Sequence, residues 1–129
     1  MRPATATKRL ASAIDRLYAT AGATPDSSFP CGIVAALLAP ALVLLWTRHP
    51  DIGFLRAEPS HRLNTSIPVE SEHEIFLGAV RVGDIPGFGG LETELFASLI
   101  PHLTAAMRLH WKLTRASRSA AKPSKCSIG

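Results

Sequence analysis

Five histidines, His49, His61, His73, His102 and His110, have the widest chemical range in this sequence, because an imidazole can act as acid, base or metal ligand near neutral pH. They show none of the tight spacings that metal ligation uses. His102 and His110 are eight residues apart, which on a helix separates them by ~12 Å, too far to share one ion within a chain. Glu70, Glu72 and Glu74 alternate along what reads as a hairpin end, so they share one face. Such a face binds a hard cation or supplies acid and base. It also keeps a turn solvated and an edge from pairing, and we read it that way. The run Gly83-Asp84-Ile85-Pro86-Gly87-Phe88-Gly89-Gly90 before a helix has the look of a phosphate cradle, yet it matches neither the P-loop nor the dinucleotide fingerprint. It reads as turn chemistry, with Phe88 anchored in the core. No local Ser-His-Asp or Cys-His arrangement is present. The expectation is a protein without catalysis, cofactor or metal.

Cys31 lies in an apolar segment and Cys126 in a Ser- and Lys-rich one, so they form no disulfide framework, and a reducing cytoplasm fits best. The net charge of +4 is uneven: residues 1–95 hold eight Lys and Arg against ten Asp and Glu, whereas residues 96–129 hold six and none. A basic end of this kind contacts phosphates or an anionic membrane, or simply solvates the end of a helix whose dipole it complements. A length of 129 residues, 47% hydrophobic and 19% charged, suits one folded domain.

Leu10, Ala13, Ile14, Leu17, Tyr18 and Ala21 recur on one face of a helix that starts near Lys8 and stops near Gly22. Residues 1–7 read as a flexible N-terminus. Phe29 to Thr47 is nineteen residues without a formal charge, which raises a membrane span. Pro40 divides it into Ile33–Ala39 and Ala41–Trp46, and a short buried helix followed by a buried strand fits as well. Ile52 to Ala57 reads as a short strand. Arg62 to Val69 alternates, with Leu63, Thr65, Ile67 and Val69 on one side, and Glu74 to Val82 reads as its buried hairpin partner.

The last element is a helix from about Leu91 to Ala116, with residues 117–129 as a flexible basic tail. Leu95, Leu99, His102, Ala106, Leu109 and Leu113 follow heptad-like steps of four and three. Phe96, Ile100, Leu103, Met107 and the edge of Trp111 form a second stripe beside them. A helix of 26 residues is ~39 Å long, more than a small sheet covers. One stripe is then free for a partner, or both join one broad core face. Pro101 is expected to kink the helix by removing one backbone hydrogen bond.

The stretch Ile75-Phe76-Leu77-Gly78-Ala79-Val80-Arg81-Val82, then Phe88, Glu92 and Leu95, then Leu99-Ile100-Pro101-His102-Leu103 and Ala106-Met107-Arg108-Leu109, resembles the end of the sensor region of LuxR-type bacterial transcriptional regulators. Ala13-Ile14-Asp15-Arg16-Leu17-Tyr18-Ala19 is similar to the opening helix of such proteins. Together these cover about half of the chain. The resemblance implies a GAF- or PAS-like sensor domain over residues 8–116 without the helix-turn-helix that follows in that family. The fold expected is therefore α+β, a small antiparallel sheet flanked by an N-terminal helix and a long kinked C-terminal one.

The function expected is regulatory and non-enzymatic. The chain forms a homodimer, or a heterodimer with a related regulator, through Leu95, Leu99, His102, Ala106, Leu109 and Leu113 of the C-terminal helix. A small apolar ligand is a further expected partner, and sequence-specific DNA binding by this chain alone is not expected. The competing reading is a small membrane-anchored protein spanning at about 29–47.

Overall fold

The computed structural model describes residues 3–46, 58–70 and 73–125, and the side chains of 5–46, 58–69 and 73–114. The expected strand at Ile52–Ala57 and the residue Glu72 lie outside the described residues, as does the side chain of Glu70. The elements run α1 (Pro3–Ala21), α2 (Phe29–Leu37), β1 (Leu42–Trp46), a 3-10 turn (Pro59–His61), β2 (Arg62–Glu70), β3 (His73–Val80) and α3 (Gly90–Lys125).

Pro3 opens α1, where a missing N–H costs nothing and a fixed φ suits a first turn, so the helix starts five residues before the start expected near Lys8 and takes in most of the segment read as a flexible N-terminus. Ala6, Ala13, Leu17 and Ala21 face the core. The uncharged stretch after it divides at Pro40, as the proline suggested: Phe29–Leu37 is helix, the Ala39–Pro40 peptide is cis, and Leu42–Trp46 is a strand. No helix among the described residues is long and apolar enough to cross a membrane.

The sheet is antiparallel, in the order β1-β3-β2. β2 and β3 form the expected hairpin, with a register shift between Pro68 and Glu70, and β1 pairs with the far side of β3, Leu42 opposite Val80 and Trp46 opposite Phe76. Alternation then separates two faces. Val43, Leu45, Leu63, Ile67, Ile75, Leu77 and Ala79 enter one core with the apolar sides of all three helices. The second face carries Leu42, Leu44, Trp46, Phe76 and Val80, of which Leu42 is 55% exposed.

The helix α3 has 36 residues and runs through Pro101 and past the expected boundary at Ala116 as far as Lys125. Ala97, whose carbonyl would have bonded an N–H at position 101, is exposed, so water can satisfy it. Beyond Ala116, Arg118, Ala120, Ala121 and Lys122 are strong helix formers, and they outweigh the serines that suggested a loose tail. α1 lies along α3 in the same direction. Leu10 shares a groove with Leu95, Tyr18 meets His102, and Ala21 meets His110.

The candidate interaction site where α3 leaves the core

The six residues of the heptad-like seam do not share one environment. Leu95, Leu99 and Ala106 are buried in the core of the chain itself, together with Phe96, Leu103 and Met107 of the second stripe. Ile100 and Trp111 pack partly buried against the same core. His102 is half-buried, its Nδ1 3.1 Å from the hydroxyl of Tyr18 and its ring edge-on to the tyrosine at 5.8 Å. Leu109 and Leu113 are different. They are 40% and 44% exposed, one helical turn apart, at the level where α1 has ended and α3 continues.

That level is built around His110, which the sequence reading set aside. Its side chain is fully buried. Nδ1 lies 3.1 Å from the carbonyl oxygen of Ala21, which can only accept, so this nitrogen carries a proton. In the neutral ring Nε2 then accepts from the hydroxyl of Ser27, 3.1 Å away. The ring thus satisfies a carbonyl at the C-terminus of α1, where helices leave such groups without partners. Phe29 packs on it at 5.0 Å between centroids. One signal for His110 was available: it is three residues after Met107 and seven after Leu103, so it continues the core stripe rather than the open one.

The Ala23–Ser28 loop is held by Asp26, whose Oδ1 accepts from the N–H of Ser28 at 2.9 Å and from its hydroxyl at 2.8 Å. These two bonds outweigh slight desolvation and hold the Asp26 carboxyl below the usual range. A surface groove of about 380 Å³ lies between this loop and α3, lined by Ala21 to Pro25, Leu113 and Thr114. Gly22 forms its floor, with the Leu113 Cδ1 3.8 Å from where a side chain would begin. Leu113 is therefore both an exposed seam residue and a groove wall.

Ser27 and His110 stand in the relation of a nucleophile to its base, with a carbonyl where hydrolases place a carboxylate. An oxyanion would also need free donors. The backbone donor that follows Ser27 in the chain, the N–H of Ser28, is already taken by Asp26. Cys31 is no better placed for chemistry, since burial, helped by Asp26, raises its thiol pKa and disfavours the reactive thiolate. Among the described residues no three His, Cys, Asp or Glu side chains converge as a metal site would require.

At the other end of α3 the glycine-rich loop closes on Arg81. This side chain is buried, and all five of its N–H donors can be assigned. Nε donates to the carbonyl of Pro40 at 3.0 Å and Nη1 to those of Pro86 and Gly87 at 3.3 and 3.2 Å. Nη2 donates to Leu38 at 3.1 Å and to Oε2 of Glu92 at 3.0 Å. Phe88 lies under the guanidinium, 4.4 Å from ring centroid to Cζ, and packs against the core as expected. The other carboxylate oxygen of Glu92 accepts from Gly89 at 2.8 Å, and the N–H of Phe88 goes to Ser60. The loop's N–H groups at Phe88 and Gly89 thus serve the N-terminus of α3 and the 3-10 turn, leaving neither to cradle a phosphate. Gly87 must be glycine here, because a Cβ would sit 2.6 Å from the Ser60 carbonyl oxygen.

Partial burial raises the Glu92 carboxyl, but the N–H of Gly89, the Arg81 side chain and its own N–H outweigh it, so its pKa falls below the ordinary value of 4.5. A depressed carboxylate stabilises the fold above the unfolded-state pKa and loses that contribution as pH falls through the folded one. Stability is therefore expected to decline as pH is lowered from about 4.5, and Glu92→Gln to flatten that decline. Urea titrations of the two proteins between neutral pH and pH 3 check this, and parallel curves would refute it.

Comparison with known proteins finds no matching family model, no similar curated protein and no similar solved structure.

Proposed function

We propose that this protein is a non-enzymatic, sensor-like regulatory domain of the cytoplasm that acts by pairing through the part of α3 that begins at Leu109. The observation that carries this reading is the exposure of Leu109 and Leu113 side by side at the point where α3 leaves its own core. Two leucines in one line on a helix make a hydrophobic seam that a second helix covers with knobs-into-holes packing. The partner is a second copy, or a related regulator with the same helix. The groove beside Leu113 offers a small apolar ligand a place where its binding would be felt by the seam.

The LuxR-type resemblance supports a regulatory role. Its residues are those that build one structural unit here, with Arg81, Phe88 and Glu92 joining β3 to the start of α3 and Leu95 to Leu109 forming the helix that follows. The membrane-anchored reading is the less favoured one, because a nine-residue helix at Phe29–Leu37 and a five-residue strand at Leu42–Trp46 stand where a single span would be needed.

Size-exclusion chromatography with light scattering tests the proposal. The chain is expected to elute as a dimer, and Leu109→Glu/Leu113→Glu as a monomer with an unchanged circular-dichroism melt. A wild-type chain that stays monomeric at high concentration and pairs with no related regulator would overturn it.

A further inference from the structure

We infer that the C-terminal part of α3 presents a cationic face to the phosphodiester backbone of a nucleic acid, without reading its sequence. The six basic residues of the last third are Arg108, Lys112, Arg115, Arg118, Lys122 and Lys125, and no Asp or Glu follows Glu94. Their steps of four, three, three, four and three fall within one continuous helix. At 100° per residue they return to a single arc of about 140°, on the side of the helix turned away from the line of Leu109, Leu113, Ala116 and Ala120. Arg108 and Lys112, where the described side chains reach the stripe, are both exposed.

Spacing argues for phosphates. From Arg108 to Lys125 the helix rises about 26 Å, which places one positive charge about every 4.5 to 6 Å. A nucleic-acid strand carries one phosphate about every 3.4 Å. Two linear arrays of opposite sign and similar density neutralise each other along their whole length and release condensed counterions. A bilayer surface fits less well, because an interfacial helix needs large apolar side chains opposite its cations. Beyond Leu113 the positions between the basic residues hold only Ala, Ser, Thr and Pro. The stripe is complete on each chain, so the inference does not rest on dimerisation. In a pair joined along Leu109 and Leu113 both stripes would face outward.

The test is fluorescence anisotropy of a labelled DNA duplex of arbitrary sequence, titrated with the full chain over a series of salt concentrations. Binding should be indifferent to base sequence, and log affinity should fall linearly with log salt with a slope of about −5, as expected for five or six neutralised phosphates. A labelled RNA duplex shares the backbone chemistry, and its competition with DNA ranks the two as natural sources. Arg118→Glu/Lys122→Glu should weaken binding by at least about tenfold and flatten the slope by about two. Lys8→Glu/Arg16→Glu, the same change of net charge at exposed sites on α1, should leave most of the binding intact. Absence of binding to either duplex at low salt would overturn the inference. So would equal losses from the two charge reversals, or retention only on vesicles containing anionic lipid.

Discussion

Replacing Arg81 by Met is expected to destabilise the protein by about 3–5 kcal/mol, the cost of removing a buried guanidinium that satisfies four backbone carbonyls and a partly exposed carboxylate. Methionine keeps the length of the side chain and much of its volume, so the loss is one of polar partners rather than of packing. It leaves the carbonyls of Leu38, Pro40, Pro86 and Gly87 and one oxygen of Glu92 without their donor. Each buried acceptor left in this state costs about 1–3 kcal/mol, although some of these groups will reach water. Domains of this size are stable by only about 5–15 kcal/mol, so the variant should be near the edge of folding. Arg81→Lys should recover only part of the loss, since an ammonium has three donors and no planar fork. Urea unfolding measures both. If Arg81→Met lies within about 1 kcal/mol of the native chain, Arg81 does not hold the glycine-rich loop in place.

The second large effect is expected at His110. His110→Leu fills a similar space but leaves the buried Ala21 carbonyl and the partly buried Ser27 hydroxyl without partners, at a cost of about 2–4 kcal/mol. Ser27→Ala should cost about 1 kcal/mol by itself. In the double variant the hydroxyl is gone, so the two losses should add to less than their sum. Additive losses would show that the 3.1 Å contact between these residues carries no energy. The same variant should loosen the end of α1, giving faster amide exchange around Ala21 to Thr24, whose N–H groups at Ala23 and Thr24 now bond to Thr20.

Much of the fold was legible because it depends on side-chain polarity taken in order. The alternation from Arg62 to Val69 and the uncharged run broken at Pro40 were enough to place a hairpin, a short helix and a third strand. The order β1-β3-β2 was not legible, since the pairing of Leu42 with Val80 joins residues with no local signal in common. The partners of Arg81 stayed hidden for a related reason. Four of its acceptors are main-chain carbonyls, and a carbonyl looks the same whatever residue carries it. His110 was missed because its partners lie 83 and 89 residues earlier in the chain. Within the expected seam, the repeat alone does not separate Leu95 and Leu99, which are buried, from Leu109 and Leu113, which are exposed. What separates them is where α1 stops, a property of a different segment.

The arrangement of α1 beside α3 also governs when the protein becomes itself during synthesis. The hairpin of β2 and β3 forms from neighbouring residues and α1 can pack early on α2, but the contacts of α1 with α3 lie more than eighty residues downstream. Until α3 has emerged from the ribosome, Leu17, Ile67 and Leu77 have no lid, and the nascent chain holds a sticky, half-built core. A gene product interrupted before Leu95 is therefore not a smaller version of this protein but a substrate for chaperones and proteases.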